Sequence, residues 1–597
     1  MPQKEQAIDQ LRAIRHSLSH ILAMAVLEKF PKAELGIGPV IENGFYYDFK
    51  LPLPLTDADL PELEKTMHEL IAQNLGFSGE ATTPLKAKKI FKDQPFKIEL
   101  IKDFVKEKKE LTVYATCPPH IENWKLKIGN CFLDLCRGGH VANTLEINPD
   151  AFKLTHVAGA YWKGSEKNPM LTRIYGLAFL SKEELNKHLV LLEEARRRDH
   201  KKLGPELDLF TFSELVGSGL PLWTPKGTIV RNILDDFVWQ LRKKKGYEQV
   251  DIPHLTKKDL YEKSGHWDKF RDELFKSTTR EGHLFAIKPM NCPHHTQIYA
   301  RRQWSWRDLP QRYANTTKVY RDEQTGELGG LARVRAITQD DAHVFCRQTQ
   351  VKNEILSVWD IVTAFYRAAG FELFIRLSLH DPDEPKKYLG TPEIWKRSEQ
   401  ILREIAKEKG SDAAEAIGEA AFYGPKIDFL AHDSLGREWQ VATIQLDMNM
   451  PERFDLFCMN EKGEKERIVM IHAAVMGSLE RYIAILIEHY AGAFPVWLAP
   501  IQVEILPISE KFNEYARSVE KNLKEKDIRT SFNNAAETLS KRIRTAEMAK
   551  IPYLVVMGEK EIGSKTLSVR DTSSQKQKIM TLDELVQIIN KDNPLSL

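Results

Sequence analysis

Residues 333–343 read Arg-Val-Arg-Ala-Ile-Thr-Gln-Asp-Asp-Ala-His and alternate with period two. Taken as a strand, the stretch puts Arg333, Arg335, Gln339, Asp341 and His343 on one face. Val334, Ala336, Ala342 and Val344 fall on the other, which is fit for packing. So polar a face must line solvent or a wet cavity. Arginines suit the gripping of anions, and an imidazole becomes a metal ligand when partners converge on it.

Two distant segments offer such partners. Cys292 lies in FAIKPMNCPHH (285–295) and His472 in MIHAAVMGSLERY (470–482), and both segments read as strands. With His343 they make one sulfur and two nitrogen donors. Three protein ligands leave one position open on a tetrahedral zinc, the pattern of a site that handles substrate.

A chain of 597 residues is too long for one core, so three or four domains are expected. With 28% charged and 42% hydrophobic residues its composition is that of an ordinary globular protein. No apolar run approaches the length of a membrane span. The start, MPQKEQAIDQLRAIRHS, carries acidic residues and no apolar signal core, which favours a cytoplasmic enzyme. The six cysteines (117, 131, 136, 292, 346, 458) show no disulfide-framework spacing and fit a reducing compartment. Lys+Arg minus Asp+Glu is 86 − 84 = +2, so net charge does not announce a nucleic-acid binder. The basic runs 196–202, 242–245 and 541–544 read first as solvated helix faces, although local patches can still meet phosphates.

Along the chain, an amphipathic helix opens a region of short strands and turns that ends near residue 180. Leu185, Leu189 and Leu192 then mark a connecting helix, with a basic end stopped by Gly204-Pro205. Strands dominate 205–496, and Pro495–Pro500 reads as a hinge. From Ile501, β and α units alternate, implying a small parallel or mixed sheet covered by helices. On the first helix His16 and His20 lie opposite the Leu11/Ile14/Leu18/Leu22 stripe, by themselves a solvated face. Much later comes Cys136-Arg-Gly-Gly-His140.

Together these stretches resemble the threonyl branch of the class II aminoacyl-tRNA synthetases, over nearly the whole chain. RNILDDFVWQLRKKKGYEQVDIPHL (231–255), with Pro253, resembles that class's first motif, a helix and strand at a dimer interface. TTKVYRDEQTGELGGLARVR (316–335) resembles the second, and Gly477-Ser478-Leu479-Glu480-Arg481 the third. The resemblance implies a multidomain α/β protein. An α+β editing domain would span 1–180 and a linker helix 181–204. A catalytic antiparallel sheet flanked by helices would span 205–496, and an α/β anticodon-binding domain 501–597. It implies ATP with Mg²⁺, L-threonine and tRNA(Thr) as partners, a homodimer, no membrane, and one zinc per subunit on Cys292, His343 and His472.

Residue by residue, it implies that Arg321 holds the α-phosphate, Arg481 the far end of a bent triphosphate, and Arg333 further phosphate oxygens, while Glu323 reads adenine. Gln440 and Thr443 would also reach ATP. Thr443 and Gln445 share strand parity and Gln440 does not, so this needs a bulge. Asp341 would receive the amino group, with Met290, Gln339, Tyr423 and Gln445 lining the amino-acid pocket. His266, in KSGHWDKF, would assist proton removal from the tRNA ribose.

Serine keeps threonine's hydroxyl and lacks only a methyl, so a second, hydrolytic site is physically expected. His16, His20, Cys136 and His140, with NGFYYDF (43–49) and THVAGAYWKG (155–164), resemble the editing domain shared by threonyl- and alanyl-tRNA synthetases. Asp134 would orient that cluster, and Glu561 and Arg570 would read anticodon bases. This chain departs from the family pattern at Gly139, where Pro is common, at Ala473 (often Arg), at Gly329 (often His) and at Ala536 (Asn). The resemblance implies a member of the bacterial type without the N-terminal ubiquitin-like module.

Overall fold

The computed structural model describes residues 2–119, 121, 131–534, 536–591 and 593–594. Two compact units are formed, Met1–Glu193 and Glu194–Leu597.

The first unit is built on the helix Pro2–Lys29. Its Ile14, Leu18 and Leu22 pack with Phe45, Tyr47, Phe49 and Ile174 from a sheet in the order Glu34–Leu35, Gly44–Lys50, Met170–Ala178, Phe152–Tyr161. The opposite side of the helix is not solvated as its sequence suggested. Ser17, Ser19 and His20 are buried, because a second sheet brings Phe77 and Phe132 against the His20 ring. That sheet pairs Gly76–Ala81, Thr112–Cys117 and Phe132–Leu135, all antiparallel. A second correction follows from it. Thr116 pairs with Phe132, so the next residues, Cys117 and Cys131, face each other and form a disulfide. Fourteen residues of separation carried no framework signal; strand register creates the pairing.

The helix Lys182–Arg198 ends the first unit and enters the second. Gly204-Pro205 does not stop the helical path. The break falls at Asp199, whose carboxylate accepts the Lys201 N–H and starts a new helix, His200–Glu206, with Pro205 inside it.

The second unit centres on an eight-stranded sheet. Its order is Glu248–Gln249, Gln311–Tyr320, Ala336–Cys346, Val469–Ser478, Glu438–Asp447, Lys426–His432, Leu373–Leu379, Ala414–Ile417. The pairs are antiparallel except at the two edges. Helices Pro225–Lys244, Val351–Ala368, Pro392–Glu408 and Leu479–His489 share one apolar core with it. Arg333 and Arg335 precede the Ala336–Cys346 strand instead of extending it, because the chain there makes the tight turn Gly329–Arg333. Two bulges interrupt the ladder, at Gln339/Asp341 and opposite Phe429/Leu430.

The tail forms a mixed sheet, Thr530–Phe532, Val503–Pro507, Tyr553–Met557, Leu567–Asp571, Gln577–Met580, covered by helices Asn513–Glu525 and Leu582–Lys591. The first three strands are parallel and the last two join antiparallel. The alternation of β and α units seen in sequence is broken here by the short helix Glu559–Ser564 and the antiparallel last strand.

Candidate functional site

His343 and His472 are register partners on adjacent central strands, which aims both imidazoles to one side of the sheet. Cys292 reaches them from the first turn of the helix Cys292–Ala300, not from a strand as its sequence suggested. The Cys292 Sγ and the ring nitrogens of His343 and His472 lie within 4.8 Å of one another, and all three residues are buried. His472 Nε2 lies 2.9 Å from Asp447 Oδ2, and His343 Nδ1 lies 2.8 Å from His295 Nδ1. Each histidine thus spends its outer nitrogen on a neighbour. The inner nitrogens, His343 Nε2 and His472 Nδ1, face each other at 3.1 Å. Two nitrogens on one tetrahedral zinc, with Zn–N near 2.0–2.1 Å, sit about 3.3 Å apart. Burial, then His472, lowers the His343 pKa and keeps the ring neutral, as a ligand must be. Burial, with the charges of Asp341 and Asp447, pushes the Cys292 thiol up, so a metal would displace its proton. The donor set and its outer hydrogen bonds fit Zn²⁺. Asp447 and His295 are the supports that the sequence pattern did not mark. His295 was legible as the histidine three residues after Cys292, while Asp447 carried no signal before strand register was known.

The other expected pocket residues gather around this cluster. Asp341, on the strand that carries His343, is buried, and its Oδ1 is 3.7 Å from His343 Nε2. The Tyr423 ring stacks on His472 at 4.8 Å, and its hydroxyl donates to Gln445 Oε1. Gln445 is in turn the register partner of His472. Met290 Sδ is 3.1 Å from Arg321 Nη2, which joins the pocket to the arginines. Gln339 pairs with Thr317 and Ser478 at the bulge, and its Oε1 is buried. His266 is fully buried, with Nδ1 2.8 Å from Ser264 Oγ and Nε2 3.7 Å from Cys292 Sγ. Burial lowers its pKa to about 3.

Arg321 and Arg333 stand near Arg481, and Arg333 is itself paired with Glu323 and Glu327. Burial, then the charges of Arg321 and Arg333, lowers the Arg481 pKa. Arg481 Nε donates to the Ala332 carbonyl at 3.0 Å. Arg333 grips Glu323 at 2.6 and 2.9 Å, so the two groups expected to bind phosphate and adenine are paired with each other. The bulge opposite Phe429/Leu430 restores the parity that Gln440 lacked. Gln440 Nε2 and Thr443 Oγ1 both donate to Asp428 Oδ1, at 2.8 and 2.9 Å.

In the first unit, His16, His20, Cys136 and His140 converge within 4.8 Å. His16 Nδ1–H donates to the Gly138 carbonyl at 2.9 Å. Cys136 Sγ is 3.3 Å from His140 Nε2, and His16 stacks on His140 at 4.1 Å. Burial pushes the Cys136 thiol up to about 12 and holds the three histidines neutral. Asp134 is buried behind them, hydrogen-bonded by Tyr47 at 2.7 Å, paired with Lys97, and 3.6 Å from His20 Nε2. Lys97 carried no signal in sequence. A cavity of about 1660 Å³ opens over the cluster, with Arg12, Arg15, Arg137 and Lys187 on its walls beside Asp9, Glu42 and Glu184.

The tail residues Glu561 and Arg570 are each engaged locally. Glu561 accepts the Gly558 N–H at 2.8 Å, and Arg570 pairs with Glu547 at 2.9 Å.

Known proteins of one family resemble this chain domain by domain. Residues 275–490 match the tRNA synthetase class II core domain (G, H, P, S and T) and 502–592 an anticodon binding domain. Residues 126–175 match the threonyl and alanyl tRNA synthetase second additional domain. A threonine–tRNA ligase of Porphyromonas gingivalis is 46% identical over 97% of this chain and 87% of its own length. One from Synechococcus elongatus is 44% identical over 97% and 94%. Among solved structures, the RNA binding domain of threonyl-tRNA synthetase from Cryptosporidium parvum aligns with TM-score 0.63 and 36% identity, covering 66% of this chain and 98% of that one. A putative threonyl-tRNA synthetase from Aeropyrum pernix gives 0.59 and 29%, covering 66% and 96%. No helix among the described residues is long and apolar enough to cross a membrane. The chain belongs to the threonine–tRNA ligase family.

Proposed function

We propose that the chain joins L-threonine to tRNA(Thr) through a threonyl-adenylate, and that its first unit hydrolyses seryl-tRNA(Thr). The convergence of Cys292, His343 and His472 with Asp341, Tyr423 and Gln445, beside three arginines, carries this reading. A zinc ion held by those three ligands would supply Lewis-acid positions for the amino group and β-hydroxyl of threonine. Sites that require a hydroxyl reject analogues lacking it by about 10⁴–10⁵, whereas a methyl alone is worth about 1–3 kcal/mol, so valine is excluded here and serine is not.

In the first step the threonine carboxylate attacks the α-phosphorus of ATP, entering as its Mg²⁺ complex, and the bond to pyrophosphate breaks. Negative charge builds on the phosphate oxygens, where Arg321, Arg333 and Arg481 stand ready. Fixed guanidiniums stabilise that charge without reorganising. ATP replaces the Arg333–Glu323 pair: Arg333 turns to phosphate and Glu323 to adenine, with Gln440 and Thr443 at the nucleotide. Asp341 accepts a hydrogen bond from the amino group, and Met290, Gln339, Tyr423 and Gln445 shape the pocket. His266 assists proton removal from the ribose hydroxyl in the transfer step. Glu561 and Arg570 read anticodon bases once released from their local partners. The working form is a homodimer.

In the first unit a thiol with a pKa near 12 stays protonated at neutral pH, which argues against Cys136 as a nucleophile. His16, His140 and Cys136 instead position water against the seryl ester, while Asp134, fixed by Lys97 and Tyr47, orients His20. Four basic side chains on the cavity walls, set among the carboxylates of Asp9, Glu42 and Glu184, offer contacts to the phosphates of an RNA end.

The test is charging of a tRNA(Thr) transcript by purified protein, with serine misacylation followed in parallel. Threonine is expected to be esterified and seryl-tRNA to be hydrolysed, the latter lost on His16→Ala. Absence of threonylation by zinc-replete protein would overturn the proposal.

A further inference from the structure

The basic run 196–202 lies in a segment that the proposed chemistry leaves unused, yet His200 is 4% exposed and engaged at both ring nitrogens. Nδ1–H donates to Glu488 Oε1 at 2.5 Å, and Nε2 accepts the Leu331 N–H at 3.0 Å. Glu488 also accepts the His200 N–H at 3.1 Å and pairs with Arg437. With both nitrogens committed, His200 has no lone pair left for a metal, although Asp199 and Glu488 stand within ligand distance of it.

Leu331 belongs to the turn Gly329–Arg333. Gly329 N–H bonds the Arg333 carbonyl at 3.1 Å, and Ala332 N–H bonds the Gly329 carbonyl at 3.0 Å. Arg481 holds the same turn from the other side through the Ala332 carbonyl. Arg481 and Glu488 both stand on the helix Leu479–His489, seven residues and so about 10 Å apart along its axis. A closed circuit results: helix, Glu488, His200, Leu331, Ala332, Arg481, helix. It is tightly packed, since a Cβ on Gly330, which has φ +59°, would stand 2.4 Å from His200 Nε2.

We infer that His200 is a positioning residue for ATP: it fixes the turn that presents Arg333 to the nucleotide opposite Arg481. The segment entering the second unit thereby sets the spacing of two phosphate-binding arginines. This rests on the proposal that those arginines bind ATP.

The test is threonine-dependent ATP–pyrophosphate exchange by full-length variants, with thermal unfolding recorded alongside. His200→Phe keeps the ring volume and loses both bonds, so KM for ATP is expected to rise about tenfold, the worth of one buried hydrogen bond, with KM for threonine unchanged. His200→Gln, whose side-chain oxygen reaches the Nε2 position, is expected to restore KM for ATP. His200→Asn reaches only as far as Nδ1 and is expected to fail to restore it. A merely structural role would move the melting temperature and active fraction without this split. Should His200→Phe fail to fold, Gly330→Ala strains the same contact from the turn and gives the same readout. Wild-type KM for ATP in His200→Phe, or in Gly330→Ala where that replaces it, overturns the inference; so does equal behaviour of the Gln and Asn variants. If the unmodified protein gives no exchange at all, the functional reading falls first, a result distinct from either.

Discussion

His343 and His472 each hold a ring nitrogen inward by giving the other to a neighbour, so the neighbours matter as well as the donors. Cys292→Ala should abolish stoichiometric zinc in the purified protein. Asp447→Asn should weaken zinc affinity about 10–100-fold by loosening His472, measured by chelator competition. Retention of full zinc by Cys292→Ala would remove Cys292 from the ligand set. Gly139 makes a separate point. Its φ is +81° and nothing lies within 4 Å of its missing side chain, so space is free but the conformation is not. A proline ring locks φ near −65°. Gly139→Pro is therefore expected to distort the turn between Cys136 and His140 and slow seryl-tRNA hydrolysis, leaving ATP–pyrophosphate exchange intact. Faster hydrolysis would show that the turn tolerates either backbone.

The packing of the second unit hangs on a few buried charges that tie elements together. Arg242, near the end of the Pro225–Lys244 helix, meets Asp340 at 3.0 Å, and Asp340 also accepts the Val475 and Met476 N–H groups. Removing one partner of such a pair strands the other, so Arg242→Ala should destabilise the second unit by about 3–5 kcal/mol in denaturant unfolding. A loss below about 1 kcal/mol would mean that water enters the gap. Glu488 gives a pH signature. Burial alone would raise its pKa, but the His200 hydrogen bonds and the Arg437 pair prevail and bring it down to about 2. A folded-state pKa below the unfolded value adds stability above the unfolded pKa, lost as pH falls through the folded one. That is worth about 3 kcal/mol near neutrality. Wild type should therefore exceed Glu488→Gln in stability near pH 7, the gap narrowing below about pH 5 and closing near pH 2. A gap independent of pH would contradict it. Neither tie was visible in sequence, because Arg242 sat in a basic run and Asp340 in a polar strand. What was visible was period: the alternation read over 333–343 marked a strand, which the structure places at Ala336–Cys346. Arg333 and Arg335 fit the same alternation yet precede the strand, since alternation cannot mark where a strand begins. The bulge that Gln440 required could be demanded from parity but not placed.

The two units divide the proposed chemistry, selection in the second and correction in the first. The sequence carried that division because ligand types at set spacings survive any uncertainty about local structure. It did not carry the supports behind each cluster, Asp447 and His295 in one, Lys97 and Tyr47 in the other, which only register brings near. Nor did it carry the Cys117–Cys131 bond, which two antiparallel strand ends create. The central claim is that Cys292, His343 and His472 hold the ion that distinguishes threonine from valine. The most direct measurement is amino-acid-dependent ATP–pyrophosphate exchange with threonine, serine and valine, on protein stripped of metal and then restored with zinc. Exchange with threonine and, more weakly, serine should vanish on stripping and return with zinc, while valine stays inactive throughout. Threonine-dependent exchange at full rate in protein verified free of metal would contradict the account.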